Sequence, residues 1–202
     1  MSSQDGSAPR RVGLVGGTFD PVHLGHLVVA EHLLVGRALD EVRLLVAGAP
    51  WMKGAVTDAV ARVALAQAAV AGLDGLVVDD RECRRDGPTY TADTLAELHE
   101  QEPDTQWVFC LGADAAASLH LWSRVQEVLS LAEVVVVARP GHPLVLDPSV
   151  ADRVTKLEVP ALAISSTDIR RRVVAGEAVR FLVPPSVHHQ IQQRRLYLAD
   201  HG

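Results

Sequence analysis

The sequence predicts an α/β fold built on a doubly wound, mostly parallel sheet with a helical C-terminal extension, and three observations predict it. Short β-branched apolar runs recur along the chain, as buried parallel strands require. Between them lie stretches long enough for helices, two of them closed by glycine. The last third reads as helix with no clear strand between its two helical stretches.

In order, strands are expected at residues 12–15, 42–46, 76–78, 107–111 and 134–138, with a weaker sixth at 154–159. Helices are expected at 24–35 closed by Gly36, at 58–71 closed by Gly72, at 91–100, and in a region from 115 to 131. Strand and helix alternate, which implies right-handed crossovers and helices on both faces. In this Rossmann-like arrangement ligands bind beyond the carboxyl ends of the strands. Two more helices, at 165–175 and 185–195, form the extension. The interior holds no Pro/Gly/Ser-rich linker, so the expected organisation is a flexible tail over residues 1–10 and one domain over 11–202.

A chain of 202 residues with 48% hydrophobic content can bury one sizeable core. Its net charge of −6 argues against a general nucleic-acid or membrane-surface binder, so neither partner is expected and any phosphate binding must be local. Cys83 and Cys110 lie far apart and outside any Cys-x-x-Cys spacing; a reducing cytoplasm is the natural setting, and both thiols are expected to be inert. The polar start lacks the apolar region of a signal peptide, and no apolar run reaches the roughly 18 residues of a membrane span. A homo-oligomer is left open.

Directly after the first strand comes Gly16-Gly17-Thr18-Phe19-Asp20-Pro21-Val22-His23-Leu24-Gly25-His26. Paired glycines permit a tight turn and close ligand approach. Asp20 before Pro21 is expected to cap a helix whose free N–H groups face an anion. His23 and His26, three apart, share one face of the first turn, and Gly25 between them leaves the backbone bare for a base or phosphate. A second anion site is expected at Ser165-Ser166-Thr167-Asp168-Ile169-Arg170, where Ser165 and Asp168 have capping-box spacing and Arg170 can lean back over the first turn. Alone, the first segment also fits a plain strand–turn–helix, and the second an ordinary capped helix. Neither a dinucleotide Gly-x-Gly-x-x-Gly nor a phosphate-loop Gly-x-x-x-x-Gly-Lys-Ser/Thr pattern occurs.

Together, Gly-x-Phe-Asp-x-x-His-x-Gly-His and Ile-Ser-Ser-Thr-x-Ile-Arg resemble the HxGH nucleotidyltransferase superfamily. Within it, Asp80-Arg81-Glu82, Gly87 to Leu95, Gly112-Ala113-Asp114, Trp122 and Arg139-Pro140-Gly141 resemble bacterial nicotinate-nucleotide adenylyltransferases over about residues 11–198. The resemblance implies transfer of AMP from ATP to nicotinate mononucleotide, giving deamido-NAD and pyrophosphate on the route to NAD. It also implies magnesium that arrives with ATP and is held mainly by phosphates, with no metal ligands from the protein. Pro50-Trp51-Met52-Lys53 departs from the Pro-Pro-His-Lys-like stretch of many members, although actinobacterial members carry a similar Pro-Trp-x-Lys. Trp51 either closes over substrate or packs; Lys53 is the better phosphate ligand, unless it is simply a solvated lysine.

From the residues and the resemblance, His23, His26, Lys53 and Arg170 are expected to be catalytic. ATP is assigned to Gly16, Gly17, Thr18, Phe19, Gly25, Gly112, Asp114, Arg139, Ser165, Ser166 and Thr167. Tyr90, Thr91 and Trp122 are assigned to the acceptor, with an aromatic face for the pyridine ring and helix N–H groups for its carboxylate. The acceptor phosphate is already ionised at neutral pH, so no general base is required. Histidines beside a polyphosphate are expected to shift toward their charged form. Phosphopantetheine adenylyltransferase is the nearest competing enzyme, disfavoured by His23 and the 89–95 segment. A catalytically silent nucleotide sensor is the competing non-enzyme reading.

Overall fold

The computed structural model describes residues 8–48, 57–138, 144–160 and 162–198. All six expected strands form: β1 (Arg11–Gly17), β2 (Glu41–Val46), β3 (Leu76–Asp79), β4 (Gln106–Gly112), β5 (Glu133–Ala138) and β6 (Val154–Glu158). Every pairing is parallel, in the order β3-β2-β1-β4-β5-β6. Progress across the sheet reverses between β1 and β4, which leaves a crevice at their carboxyl ends.

Helices alternate with the strands: α1 (Leu24–Gly36), α2 (Ala59–Val70), α3 (Thr91–Gln101), α4 (Ala113–Ala117), α5 (Val125–Leu131), α6 (Pro148–Ala151), α7 (Ser166–Val174) and α8 (Pro185–Gln193). One core joins Val108, Cys110 and Val135 of the sheet to Leu33 of α1, Leu65 of α2, Ile169 of α7 and Ile191 of α8. The opposite core joins Leu14, Phe109 and Val136 to Leu95 of α3, Ala116 of α4, Val128 of α5 and Val150 of α6. Burial on both faces explains why the strands read as continuous apolar runs rather than as alternating ones. Among the described residues no helix is long and apolar enough to cross a membrane.

Three local expectations change. Gly36 is the last residue of α1, and the chain turns instead at Ala38, which holds a left-handed φ of 48°. The region from 115 to 131 is broken into α4, a 3₁₀ turn at Leu119–Leu121 and α5, with Arg124 at φ 53° ending the turn. Asp58 lies just outside α2 as its N-cap, accepting from the Ala61 amide at 2.8 Å. Gly72, at φ 78°, closes α2 as expected.

Candidate active site

The loop after β1 does not open a helix at Pro21, because the Asp20 carboxylate is engaged elsewhere. Asp20 is 2% exposed; its Oδ1 accepts from Tyr197 Oη at 2.8 Å and its Oδ2 from the Thr57 amide at 3.3 Å. The loop is thereby tied to the C-terminal segment and to the approach to α2, and α1 begins only at Leu24 with His23 as its N-cap.

His23 and His26 do share one face, as N-cap and third residue of α1. Their rings stack at 3.6 Å and 19°, and His26 Nδ1 accepts the His23 amide at 3.2 Å. Phe19 meets His26 edge-on at 4.9 Å and is itself buried, so it props the histidine from below rather than lining a surface. Phe19 has a left-handed φ of 52°, and a side chain at Gly17 would come within 3.0 Å of its ring. Gly25 is bare for a related reason. A Cβ there would lie 3.0 Å from His23 Nδ1, so in this structure the space belongs to the histidine rather than to a ligand.

Burial pushes His23 down to about 4, so in this structure it is neutral at pH 7. Its buried Nδ1 has no hydrogen-bond partner among the described residues. The expected drift toward the charged form requires that the charge of a bound polyphosphate outweigh this desolvation, so that His23 takes up a proton from water.

The second segment folds against the first. Ser165 caps α7, its Oγ accepting from the Asp168 amide at 3.1 Å. The Asp168 carboxylate does not complete the capping box; it pairs with Arg172 and Arg171, which hold it below the usual carboxylate range. Ser166 Oγ donates to the Pro21 carbonyl at 2.8 Å. Arg170 reaches back over the first turn, donating to the Asp20 carbonyl at 2.6 Å and to Thr167 Oγ1 at 3.4 Å. Two motifs about 140 residues apart thus become one surface beside the crevice.

On the other side of the switch point β4 ends at Gly112, where an added Cβ would meet nothing within 4 Å, while Gly16 near the end of β1 is exposed. Asp114 stands exposed beyond Gly112. Tyr90, 44% exposed, is the N-cap of α3 and its side chain makes no capping hydrogen bond, so among the described residues the first N–H groups, starting at Thr91, have no side-chain cap. An Asp93–Arg124 ion pair draws the first turn of α3 toward the segment carrying Trp122. Trp122 is half-buried and edge-on to Phe109 at 6.2 Å and 67°, so packing accounts for part of the residue. Lys53, Trp51 and Arg139 lie outside the described residues.

Several residues at the site were given no role by the motif reading, Glu82 among them although it stands in the quoted Asp80-Arg81-Glu82 segment. Tyr197 and Thr57 hold Asp20. Glu82, buried beneath the start of α3, accepts from Thr94 Oγ1 at 2.8 Å, and burial pushes its carboxyl up. Arg62 is buried in α2; a lone charge in an alanine-rich helix was the available signal. The thiols behave as expected: burial raises both, Cys110 to about 12. Among the described residues no three His, Cys, Asp or Glu side chains gather as a metal-binding group.

The starts of α1 and α7 meet beside the switch point of a parallel sheet. In folds of this kind nucleotides bind at such a switch point. The family model described as cytidylyltransferase-like matches residues 14–172. A Leifsonia xyli protein named "Probable nicotinate-nucleotide adenylyltransferase" is 46% identical over 98% of both chains. A Kineococcus radiotolerans protein of the same name is 46% identical over 93% of this chain and 92% of its own. The chain belongs to the cytidylyltransferase-like family, and within it to the nicotinate-nucleotide adenylyltransferases. Its fold matches that of a Plasmodium falciparum nicotinic acid mononucleotide adenylyltransferase complexed with NaAD, with a TM-score of 0.78 at 18% identity, over 93% of this chain and 97% of that one.

Proposed function

We propose that this protein transfers AMP from ATP to nicotinate mononucleotide, releasing pyrophosphate and forming deamido-NAD for NAD biosynthesis, as a single cytoplasmic domain over residues 11–202. The observation that carries this reading is the meeting of the two motifs: Ser166 on Pro21 and Arg170 on Asp20 bring the α7 start against the His23–His26 turn.

In the reaction an acceptor phosphate oxygen attacks the α-phosphorus of ATP, and the bond from that phosphorus to the oxygen bridging it to the β-phosphorus breaks, so that this oxygen leaves with pyrophosphate. No proton need be removed from the attacking phosphate, so the protein's work is positioning and charge stabilisation. His23, His26, Lys53 and Arg170 donate to the phosphates. Gly16, Gly17 and Gly112 let the nucleotide approach the strand ends, Thr18, Ser165, Ser166 and Thr167 hold the loops around it, Asp114 takes a ribose hydroxyl, and Arg139 contributes a further cation. Phe19 acts through His26, and Gly25 acts by making room for His23. The open N–H groups at Tyr90 and Thr91 take the nicotinate carboxylate, with Trp122 against the ring. Magnesium enters with ATP as part of the substrate. The partners are these two nucleotides, with no nucleic acid or membrane.

The test is pyrophosphate release from ATP and magnesium with nicotinate mononucleotide, nicotinamide mononucleotide or phosphopantetheine as acceptor. The first is expected to react fastest. A faster reaction with phosphopantetheine would overturn the acceptor assignment, and no reaction with any of them would favour a silent nucleotide sensor.

A further inference from the structure

α2 is apolar throughout except for Arg62 and Gln67, yet Arg62 is 1% exposed. Its guanidinium makes four hydrogen bonds, all to backbone carbonyls. Nη1 donates to Thr18 at 2.9 Å and to Ala47 at 2.7 Å, Nη2 to Gly48 at 3.0 Å, and Nε to Thr57 at 3.2 Å. Among the described residues no carboxylate pairs with it, so carbonyl dipoles alone replace the water that the cation gave up. Burying a cation without a counter-charge costs several kcal/mol, and an apolar side chain in this apolar helix would avoid that cost.

The four carbonyls belong to three stretches at the carboxyl edge of the sheet. Thr18 adjoins Phe19, which props His26. Ala47 and Gly48 follow β2, and they are pinned from the far side as well. Cys83 Sγ donates to the Val46 carbonyl at 3.3 Å, and a Cβ on Gly48 would fall 2.1 Å from the Glu82 carbonyl oxygen. Thr57 is the residue whose amide holds Asp20. The guanidinium therefore sets the loop after β1 relative to the end of β2 and the start of α2, and it leaves a net positive charge beneath that loop.

We infer that Arg62 is a positioning residue for the transfer step: by fixing the Thr18 carbonyl against Ala47, Gly48 and Thr57 it holds the Phe19–His26 pair at the height the reacting phosphates require. This rests on the AMP-transfer reading above. A lysine keeps the charge, but its single ammonium has three donors on one atom and cannot span a fork of four carbonyls. The loop then relaxes, and a misplacement of about 1 Å at a reacting group costs on the order of 10²-fold in rate.

The experiment compares the full chain with Arg62→Lys and Arg62→Met, measuring kcat and KM for both substrates well below each protein's melting temperature and correcting kcat for the folded fraction. Arg62→Lys is expected to stay folded and to lose roughly 10- to 100-fold in kcat, with both KM values within about threefold of the parent. Arg62→Met is expected to lose at least as much kcat, with a lower melting temperature. A kcat within threefold of the parent in Arg62→Lys, whatever its melting temperature, would make the arginine structural and overturn the proposal. A failure of Arg62→Lys to fold would overturn it on the same ground. An inactive parent would instead sink the transfer reading, and this inference with it.

Discussion

Tyr197 Oη donates to Asp20 Oδ1 at 2.8 Å, joining the turn that follows α8 to the loop after the first strand. Both residues are buried, and the loss of water together with the Asp20 charge pushes the phenol well above its usual range. Tyr197→Phe removes the phenol's hydrogen bonds to Asp20 and to the Thr57 side chain while keeping the ring, and it takes one donor from a buried carboxylate. A stability loss of about 1–3 kcal/mol is expected, read from denaturant midpoints at an unchanged m-value. A variant as stable as the parent would show that this contact is dispensable.

His23→Ala and His26→Ala address the histidine pair. Loss of one preorganised donor typically costs about 10²–10³ in kcat, and that range is expected for each variant while circular dichroism shows a native fold. Changes appearing only in KM would point to uniform binding. Values of kcat within threefold of the parent would return both histidines to a structural role at the start of α1.

Trp122 has a divided role, edge-on to Phe109 yet still partly accessible. Trp122→Ala is expected to weaken nicotinate mononucleotide binding by about 1–3 kcal/mol, as for base–aromatic stacking, with ATP affinity little changed. Trp122→Phe, which keeps a ring against Phe109, is expected to recover most of it. Equal losses for both nucleotides by calorimetry would mean that the core had been disturbed instead.

His23 also predicts a pH dependence of stability. Its value is about 4 in the folded protein against 6.5 ordinarily, so the unfolded chain takes up the proton first. Stability is therefore complete above pH 6.5 and is lost as pH falls toward 4. At pH 4.5 this group is expected to cost roughly 2–3 kcal/mol relative to pH 7.5. In urea titrations at the two values, His23→Asn, which cannot take up that proton, should lose that much less than the parent. Parallel losses in the two proteins would show that other groups carry the acid sensitivity.

Much of the architecture could be read from local pattern. The apolar runs around Val12, Val42 and Val134 are short, β-branched and bounded by turns, and they could only be buried strands in a sheet covered on both faces. Helix ends were less legible. Gly72 closes α2, yet Ala38 takes the left-handed turn after α1 although a glycine stands two residues earlier, because the register of β2 against β1 decides where the chain must turn.

The site divides in the same way. The sequence alone supplied the candidates for the chemistry, since His23, His26, Ser166 and Arg170 lie in segments whose spacing places them at helix starts. It also determined the sheet, because hydrophobic periodicity is a property of neighbouring residues. Only the tertiary structure decided that Asp20 anchors a loop instead of capping a helix, that Gly25 clears room for His23, and that Arg62 binds four carbonyls. Asp20 and Arg62 depend on partners distant in the chain, Tyr197 for the one and the ends of β1 and β2 for the other, and Gly25 depends on how the nearby ring of His23 packs against the turn. Local sequence records a residue's own preferences, whereas a buried polar group takes whichever partner the packed strands bring within reach, because leaving it unpaired would cost more than any local preference supplies.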